Sequence, residues 1–302
     1  MSTYQFTPDG RRIIPKLEFY ITNVCNLTCQ GCNRFNDMHF RGWQKWGDYA
    51  DVIAEWGKKI TVDHTVIMGG EPLLNPTICE WLRGLRKIGM YGPQIMSNGT
   101  YIDRVDGLYE TLRETHSWIG VSLHHRNDAD EIYERIRNFY PATSQVVEVE
   151  GRENTRSGSI RSFVDQNNIW VEVWNQTDFV KNAVRYTAEG RATLHNNTPE
   201  SAFVTCAFAH NKNYHFIRGK LYRCGPVGLF PELDDQFDLD LSPEDKQLIR
   251  SYRPLSVENY AAEHESFFDH IDDMIPQCKF CSNDDTKHPL EFRPKKSRVN
   301  LD

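Results

Sequence analysis

Residues 17–32 read LEFYITNVCNLTCQGC, and this stretch decides the class of fold that we expect. Leu17 to Thr22 is a short run of apolar and aromatic residues, which is typical of a buried strand. The strand leads directly into Cys25, Cys29 and Cys32, which have the spacing C-x3-C-x2-C. Three thiols on one loop after a strand predict a metal-binding loop at the end of that strand.

This first cysteine group is compatible with two kinds of metal centre. Three thiolates of one loop can bind three irons of a [4Fe–4S] cluster and leave the fourth iron without a protein ligand. Such an open position is where substrate chemistry takes place, as it is at catalytic zinc sites. The alternative is a structural zinc site in which a nearby residue such as His39 is the fourth ligand. The spacing of the cysteines alone leaves both open.

Strand and helix patterns alternate after the cysteine loop. Further strands are predicted over residues 64–68, 94–96, 118–123, 145–149 and 169–174, and helices over 49–58, 78–85, 103–114 and 128–139. Six strands alternating with helices predict an α/β fold with a parallel sheet, which right-handed crossovers curl into an open or closed barrel. The connection 150–168 is the exception, because its glycines and serines weaken a helix there.

A second motif follows the second predicted strand and consists of Gly69, Gly70, Glu71 and Pro72. Adjacent glycines allow a backbone to approach a ligand closely, and the Glu71 carboxylate can accept hydrogen bonds from an ammonium group. Alone, this segment is equally an ordinary turn that carries a charge. Its position one βα unit after the cysteine loop makes the ligand-binding interpretation much more specific.

The two motifs together resemble the radical S-adenosylmethionine (SAM) superfamily, over about residues 15–190. The resemblance implies a partial (β/α)6 TIM-like barrel and a [4Fe–4S] cluster whose open iron binds the amino and carboxylate groups of SAM. It also implies that Gly69, Gly70, Glu71 and Pro72 contact the amino group. Further candidates for SAM contacts lie at later strand ends: Ser97, Asn98 and Ser122.

One position departs from the pattern of that family. The residue before the third cysteine is often aromatic or bulky and lies near the adenine, whereas this chain has Gly31. We therefore expect adenine contacts from elsewhere, such as Phe35 or backbone groups beyond the fifth strand.

A second cysteine group lies near the carboxyl terminus. Cys206 and Cys224 bracket a predicted β-hairpin that turns at Arg218-Gly219, and Cys278 and Cys281 follow. Four thiolates suit structural zinc or a fully ligated [4Fe–4S] cluster. The order and spacing resemble the twitch appendage, a shortened SPASM domain, over about residues 200–285, and this resemblance implies an auxiliary [4Fe–4S] cluster.

The resemblance also implies how the chain is divided. We predict a core barrel over residues 1–195 and an auxiliary iron–sulfur domain, with hairpin, helices and tail, over 196–302. Cys79, the eighth cysteine, is predicted to be a buried apolar residue of a helix.

The resemblance implies an enzyme that generates a 5′-deoxyadenosyl radical and abstracts a hydrogen atom from a substrate. We expect a small-molecule substrate such as a sugar, polyol or nucleotide, because only about 16 residues precede the first strand and no leader-peptide-binding domain is apparent. A two-electron oxidation is favoured, and a flavodoxin- or ferredoxin-type electron donor is expected. The alternatives are a peptide-modifying SPASM-type maturase and a redox-neutral epimerase or rearranging enzyme. A zinc-stabilised binding protein without catalysis would need both motifs to coincide by chance.

Candidates for a substrate base lie at later strand ends. His124 and His125 follow the fourth predicted strand, and Glu148 and Arg152 lie near the end of the next. The carboxyl ends of barrel strands carry the chemistry in folds of this kind. The sequence does not single out one of these residues as the base.

Composition restricts the class of protein. The net charge of −7 over 302 residues disfavours nucleic-acid binding. No apolar run approaches the roughly 20 residues that span a bilayer, and the polar first residues contain no signal peptide. We therefore expect a cytoplasmic protein without membrane contact. In that reducing compartment, metal binding by the 8 cysteines is favoured over disulfide formation.

Overall fold

A computed structural model describes residues 6–124, 126–151, 159–180, 184–284 and 286–292. Strands in these ranges are β1 Arg12–Tyr20, β2 Ile60–Met68, β3 Gln94–Ser97, β4 Trp118–Leu123, β5 Val147–Glu150, β6 Ser159–Val164, β7 Trp170–Asn175, β8 Asp178–Val180, β9 Val184–Tyr186, β10 Ala192–Leu194, β11 Tyr214–Ile217, β12 Lys220–Tyr222 and β13 Lys287–Pro289. Helices are α1 Trp46–Gly57, α2 Ile78–Lys87, α3 Leu108–Thr115, α4 Ala129–Phe139, α5 Pro199–Val204, α6 Ala207–His210, α7 Gly225–Phe237, α8 Pro243–Arg250 and α9 Tyr260–Asp269. None of the described helices is long and apolar enough to cross a membrane.

The described strands form one large sheet in the order β12-β11-β1-β2-β3-β4-β7-β6-β5. Pairing is parallel from β11 through β1, β2, β3 and β4 to β7. The predicted α/β fold with a mostly parallel sheet is confirmed. Because the strands are parallel, their carboxyl ends lie along one edge of the sheet, where a site built from several loops can form.

The strand predicted over residues 145–149 does not take its expected place in the series. It is found as β5 at an edge of the sheet, paired antiparallel with β6, and β7 lies directly beside β4. The prediction of a fifth βα unit here was wrong. A parallel neighbour needs a crossover connection of a dozen or more residues, whereas only residues 151–158 separate β5 from β6.

The predicted hairpin at residues 214–223 is confirmed, and its first strand belongs to the main sheet. Arg218 and Gly219 have φ values of 49° and 79°, as a two-residue hairpin turn requires. In register, Tyr214 pairs with Leu17 and Phe216 with Phe19. A segment far along the chain therefore completes the parallel sheet beside the strand that carries the cysteine loop.

Two clusters of buried apolar side chains fill the molecule. The larger lies between the sheet and the helices that follow its strands, and Phe19, Trp56 and Trp81 are among its members. The smaller joins Tyr20 and Phe35 to residues of α7, such as Phe230. Cys79 packs against the larger cluster as predicted, but it is only half-buried on α2.

Candidate active site

The carboxyl edge of the sheet brings the two sequence motifs together. The first cysteine group follows β1, and the turn Gly69–Pro72 follows β2, the next strand in the sheet. The backbone N–H of Gly70 donates to the carbonyl of Thr22 at 2.7 Å, and that of Glu71 donates to the carbonyl of Val24 at 2.8 Å. The β1–β2 pairing thus continues beyond both strands, up to the residue before Cys25.

The two glycines allow this backbone contact. A Cβ atom at Gly69 would lie 2.3 Å from the Thr22 carbonyl oxygen, and one at Gly70 would lie 2.2 Å from that of Val24. Real Cβ contacts are longer, so any larger residue would push the turn away from the cysteine loop. The glycines serve the approach of one backbone to another, in addition to any approach to a ligand.

Glu71 is fully buried, and its carboxylate is held by other residues of the protein. Its Oε1 accepts hydrogen bonds from the Leu73 N–H at 3.0 Å and from the Ser97 hydroxyl at 2.8 Å. Its Oε2 accepts from the Asn98 N–H at 2.7 Å. Burial raises the pKa of Glu71 to about 7, against these hydrogen bonds, which favour the ionised form. The carboxylate therefore fastens the end of β3 to the turn after β2.

The first cysteine loop is held by amide groups. Asn26 donates from Nδ2 to the Thr100 hydroxyl and accepts from Asn98 Nδ2, each at 2.9 Å, which ties the loop to the end of β3. The Leu27 N–H donates to Cys25 Sγ at 3.4 Å, and Asn36 Nδ2 donates to Cys32 Sγ at 3.6 Å. Donors directed at sulfur are typical of thiolates that bind iron.

The thiol of Cys25 lies in a buried environment. Burial, then the nearby Glu71 carboxylate, raises its pKa far above that of a free cysteine, and the charge of Cys32 acts in the same direction. A metal ligand must lose this proton, and a bound cation can offset that cost. The environment fits a thiol that ionises on binding metal.

Two residues around Cys32 show why the loop departs from the family pattern. Gly31 has φ 78°, a conformation that residues with a side chain rarely adopt, so the loop geometry favours glycine there. Phe35, which we named beside backbone groups as a source of adenine contacts, is completely buried and packs on Phe230 with ring centroids 5.9 Å apart. That expectation was wrong, because Phe35 belongs to the smaller core cluster.

A buried charged group that the sequence analysis missed lies behind the loop. Glu18 Oε2 is 2.8 Å from Arg34 Nη2 and 2.7 Å from His215 Nε2. Burial opposes ionisation of Glu18, but these neighbours hold its pKa well below the usual range. The position of Arg34, two residues after Cys32, was the only sequence signal for this contact.

The second cysteine group converges on one cavity. Cys206 precedes α6, Cys224 precedes α7, and Cys278 and Cys281 lie in and just after the 3-10 helix Pro276–Phe280. All four side chains line the same small cavity. Burial raises the pKa of Cys224 to about 12, and the charges of Cys206 and Cys278 contribute. Two segments that are distant in sequence thus bring four cysteines to the wall of one cavity, which we call the four-thiol site.

A larger cavity separates the two cysteine groups. Its volume is about 390 Å³, within the range of small-molecule pockets. Gly31 and Asn33 of the first loop line one side, and Cys206 and Cys281 of the second group line another. The other polar residues that line it in the described ranges are Gln176, Asp178, Thr205, Ser282 and Asp284.

The candidate bases are not all found at this edge. His124 follows β4, and its Nδ1 lies 3.3 Å from the carbonyl of Gln176, a residue that lines the cavity. Burial lowers the pKa of His124 and favours the neutral imidazole. Glu148 instead lies within β5 and pairs with Arg137 and Arg161.

Other candidates are less informative about the site. Ser122 lies half-buried within β4, in register with Trp174. Pro72 begins a short 3-10 helix and is buried. His125 and Arg152 lie outside the described residues.

Within the described ranges, no group of three or more His, Cys, Asp or Glu residues has an arrangement that could hold a single metal ion.

Residues 19–149 match the family model of the radical SAM superfamily. This part of the chain, which includes the first cysteine group and the Gly69–Pro72 turn, is therefore a radical SAM superfamily domain.

Two curated proteins are similar over part of the chain. A probable GTP 3′,8-cyclase of Methanocaldococcus jannaschii is 30% identical over 129 residues, which are 42% of this chain and 42% of that protein. An S-adenosylmethionine-dependent nucleotide dehydratase of Flammeovirga pacifica is 30% identical over 124 residues, 38% of this chain and 40% of that protein. The chain thus matches about two-fifths of the length of each relative.

Among solved structures, that of Streptococcus suis SuiB bound to S-adenosylmethionine aligns with this chain. The alignment covers 39% of this chain and 27% of the SuiB chain, with 18% sequence identity and a TM-score of 0.30. SuiB bound to the precursor peptide SuiA covers 38% of this chain and 26% of its own, with 19% identity and a TM-score of 0.31.

Proposed function

We propose that this radical SAM domain is part of an enzyme that abstracts a hydrogen atom from a small, hydroxyl-rich substrate and oxidises it by two electrons. The observation that carries the proposal is the backbone contact between the turn Gly69–Pro72 and the segment that leads to Cys25. It holds the three-cysteine loop and the glycine turn side by side at the carboxyl edge of a parallel sheet.

The residues fit the cofactors that a domain of this superfamily implies. Cys25, Cys29 and Cys32 would bind three irons of a [4Fe–4S] cluster, with amide donors beside two of the sulfurs. Glu71 is held by three hydrogen bonds, so it would position the turn for contact with SAM. When bound, the cluster and SAM supply a 5′-deoxyadenosyl radical, which abstracts a hydrogen atom from an unactivated carbon.

We assign substrate binding to the cavity between the two cysteine groups. Its described lining contains Asp178 and Asp284 and no Lys, Arg or His. Carboxylate, amide and hydroxyl groups accept hydrogen bonds from hydroxyl or ammonium groups, whereas a phosphate would be repelled by the two carboxylates. The lining thus favours a sugar or polyol, including one that carries an amine.

Oxidation of a carbinol to a ketone removes two protons and two electrons in total. Abstraction of one hydrogen atom accounts for one of each, so a second proton and a second electron must also leave. His124 is kept as the candidate base, since burial favours its neutral form; it does not itself line the cavity but is joined through Nδ1 to the carbonyl of Gln176, which does. The four-thiol site would supply an electron acceptor if it holds a second cluster, and its four half-buried cysteines around one cavity support that role. We expect a flavodoxin- or ferredoxin-type donor and residence in the cytoplasm.

A nucleotide substrate is the second candidate. Both curated relatives are named for GTP or nucleotide chemistry, and this favours a nucleotide substrate. Those similarities cover about two-fifths of each chain. Peptide modification and redox-neutral rearrangement are the remaining outcomes that the experiment must separate.

The test begins with iron and sulfide counts on anaerobically reconstituted full-length protein in which Cys25, Cys29 and Cys32 are all changed to Ala. About four irons per chain are expected from the second site. One zinc and no iron would contradict the auxiliary cluster and move redox-neutral chemistry ahead.

The substrate class is tested with reduced wild-type protein and SAM. Formation of 5′-deoxyadenosine is measured with polyols, amino sugars, nucleoside triphosphates and a model peptide. Stimulation by polyols or amino sugars supports the proposal, while stimulation by a nucleotide or peptide alone contradicts the substrate class.

A further inference from the structure

We infer that Arg223 is the counter-charge of the group held by the four cysteines of the second site and that it raises the reduction potential of that group. The inference rests on the proposed function, because it requires that this site holds an iron–sulfur cluster. It concerns one side chain that no sequence motif includes.

Arg223 lies in the wall of the four-thiol cavity. Its side chain lines the cavity together with the four cysteines and is 4% exposed. Nη1 donates to the backbone carbonyl of Asp273, whereas Nη2 is buried and has no hydrogen-bond partner among the described residues. A buried guanidinium donor without a partner, beside four thiols, points to an acceptor held within the cavity.

No carboxylate of the described residues lies within ion-pair distance of Arg223. Lys212 is the main cause of the lowered pKa of Asp272, and Arg223 is only a minor one. The other buried arginine near a cysteine group is different, because Arg34 pairs with Glu18 at 2.8 Å. A buried charge without an opposite charge costs several kcal/mol. Among the described residues that line this cavity, the four thiols could provide the opposite charge when they ionise.

The charge of Arg223 reaches three of the four thiols. Burial is the main cause of the raised pKa of Cys224, Cys278 and Cys281, and Arg223 acts against it in each case. Four thiolates around a [4Fe–4S]²⁺ core carry a net charge of about −2, and one-electron reduction makes this about −3. A fixed positive charge stabilises the more negative state, so it raises the potential. Arg223 thus acts through its charge on the reduction potential of the group in the second site.

The test uses the second site alone, in the full-length chain with Cys25, Cys29 and Cys32 changed to Ala. Arg223→Met and Arg223→Lys are compared with this parent by iron count and by a redox titration followed by electron paramagnetic resonance. We expect the Met variant to shift the midpoint potential to a lower value and the Lys variant to stay near the parent.

Lys279→Met is the matched control. Lys279 lies between Cys278 and Cys281 in sequence but pairs with Asp245 at 2.8 Å and does not line the cavity. Its replacement should shift the potential much less than that of Arg223. An equal shift would overturn the specific role of Arg223.

The remaining outcomes separate the two proposals. A parent with zinc and no iron overturns the inference together with the auxiliary cluster. A parent with a cluster whose potential is unchanged in Arg223→Met overturns the inference alone. If the Met variant binds no iron, the Lys variant decides: a cluster with the parent potential supports the charge role, and loss of iron contradicts it.

Discussion

The Glu71 carboxylate accepts the backbone N–H of Asn98 at 2.7 Å, and this bond joins the loops after two neighbouring strands. The same Asn98 donates from its side chain to Asn26 of the cysteine loop at 2.9 Å. The loops after β1, β2 and β3 are thereby connected through one buried carboxylate and two amides. The position of the first cysteine loop depends on this network.

The stability of the protein should depend on pH through Glu71. Its pKa is raised by burial from 4.5 to about 7, so between these values the folded state keeps a proton that the unfolded state has released. The free energy of unfolding therefore falls as pH rises through this window, by at most about 3 kcal/mol. Glu71→Gln lacks this titration.

Urea denaturation of the iron-free protein at pH 5 and at pH 8 measures this difference. The unfolding free energy of the wild type minus that of Glu71→Gln should be larger at pH 5 than at pH 8. Glu148→Gln, at an ion-paired site on the sheet edge, is the control and should not reproduce it. A Glu71→Gln difference that is constant with pH would refute the raised pKa.

Gly70→Ala should damage the first metal site. The new Cβ would lie 2.2 Å from the Val24 carbonyl oxygen, which is backbone and cannot rotate aside. Moving the turn would break its bond to Thr22, and we expect a loss of about 1–3 kcal/mol in unfolding free energy together with reduced iron binding at the first site. Iron counts in a chain with Cys206, Cys224, Cys278 and Cys281 changed to Ala isolate this effect.

Gly47→Ala is the matched control. Gly47 lies in α1, where a Cβ would meet nothing within 4 Å, so alanine should leave iron binding unchanged and raise helix stability by about 0.5–1 kcal/mol. Equal iron loss in both variants would show that the close approach at Gly70 is unimportant.

The segment after the second cysteine group should stabilise the first cysteine loop. The Gln30 N–H donates to the Glu291 carbonyl at 2.8 Å, and Cys29 forms an antiparallel bridge with Phe292. Deleting residues 291–302 removes this backbone pairing, whose described hydrogen bond is worth about 1–1.5 kcal/mol net. We expect roughly tenfold faster release of iron from the first site to a chelator.

A chain that ends at Phe292 keeps both contacts and should release iron at the wild-type rate. If the two truncations behave alike, the pairing of Glu291 and Phe292 with the loop does not contribute.

Arg34→Met should destabilise the fold strongly. It removes the guanidinium from buried Glu18, and breaking a buried ion pair costs about 3–5 kcal/mol, less here because Lys16 at 3.2 Å and His215 at 2.7 Å still face the carboxylate. Changing Glu18 to Met as well should recover part of this loss, because no uncompensated charge remains. Urea denaturation of the iron-free protein measures both.

Arg83→Met provides the comparison, since it breaks an exposed ion pair with Glu114 and should cost at most about 1 kcal/mol. Equal losses at Arg34 and Arg83 would contradict the energetic role of the buried pair.

Much of the fold was predictable because its signals are local. The apolar run at residues 17–22 predicted a strand that overlaps β1 over residues 17–20, and residues 118–123 were predicted as a strand with the bounds that β4 has. The failure at residues 145–149 is also physical, because the alternation of Val147 and Val149 indicates a strand but not its neighbour. Pairing depends on the length and direction of the connection, here residues 151–158.

By itself, the sequence determined the strand that leads to Cys25, the thiol spacing, the Gly69-Gly70 turn and the cysteines of the second group, since each is a short pattern along the chain. Only the tertiary structure decided that β11 pairs with β1, that Arg34 meets Glu18 and that Arg223 faces the second cysteine group. These contacts join residues that are far apart in sequence or settle the orientation of one side chain. They depend on sheet order and on the cost of burying charge, which no spacing along the chain records.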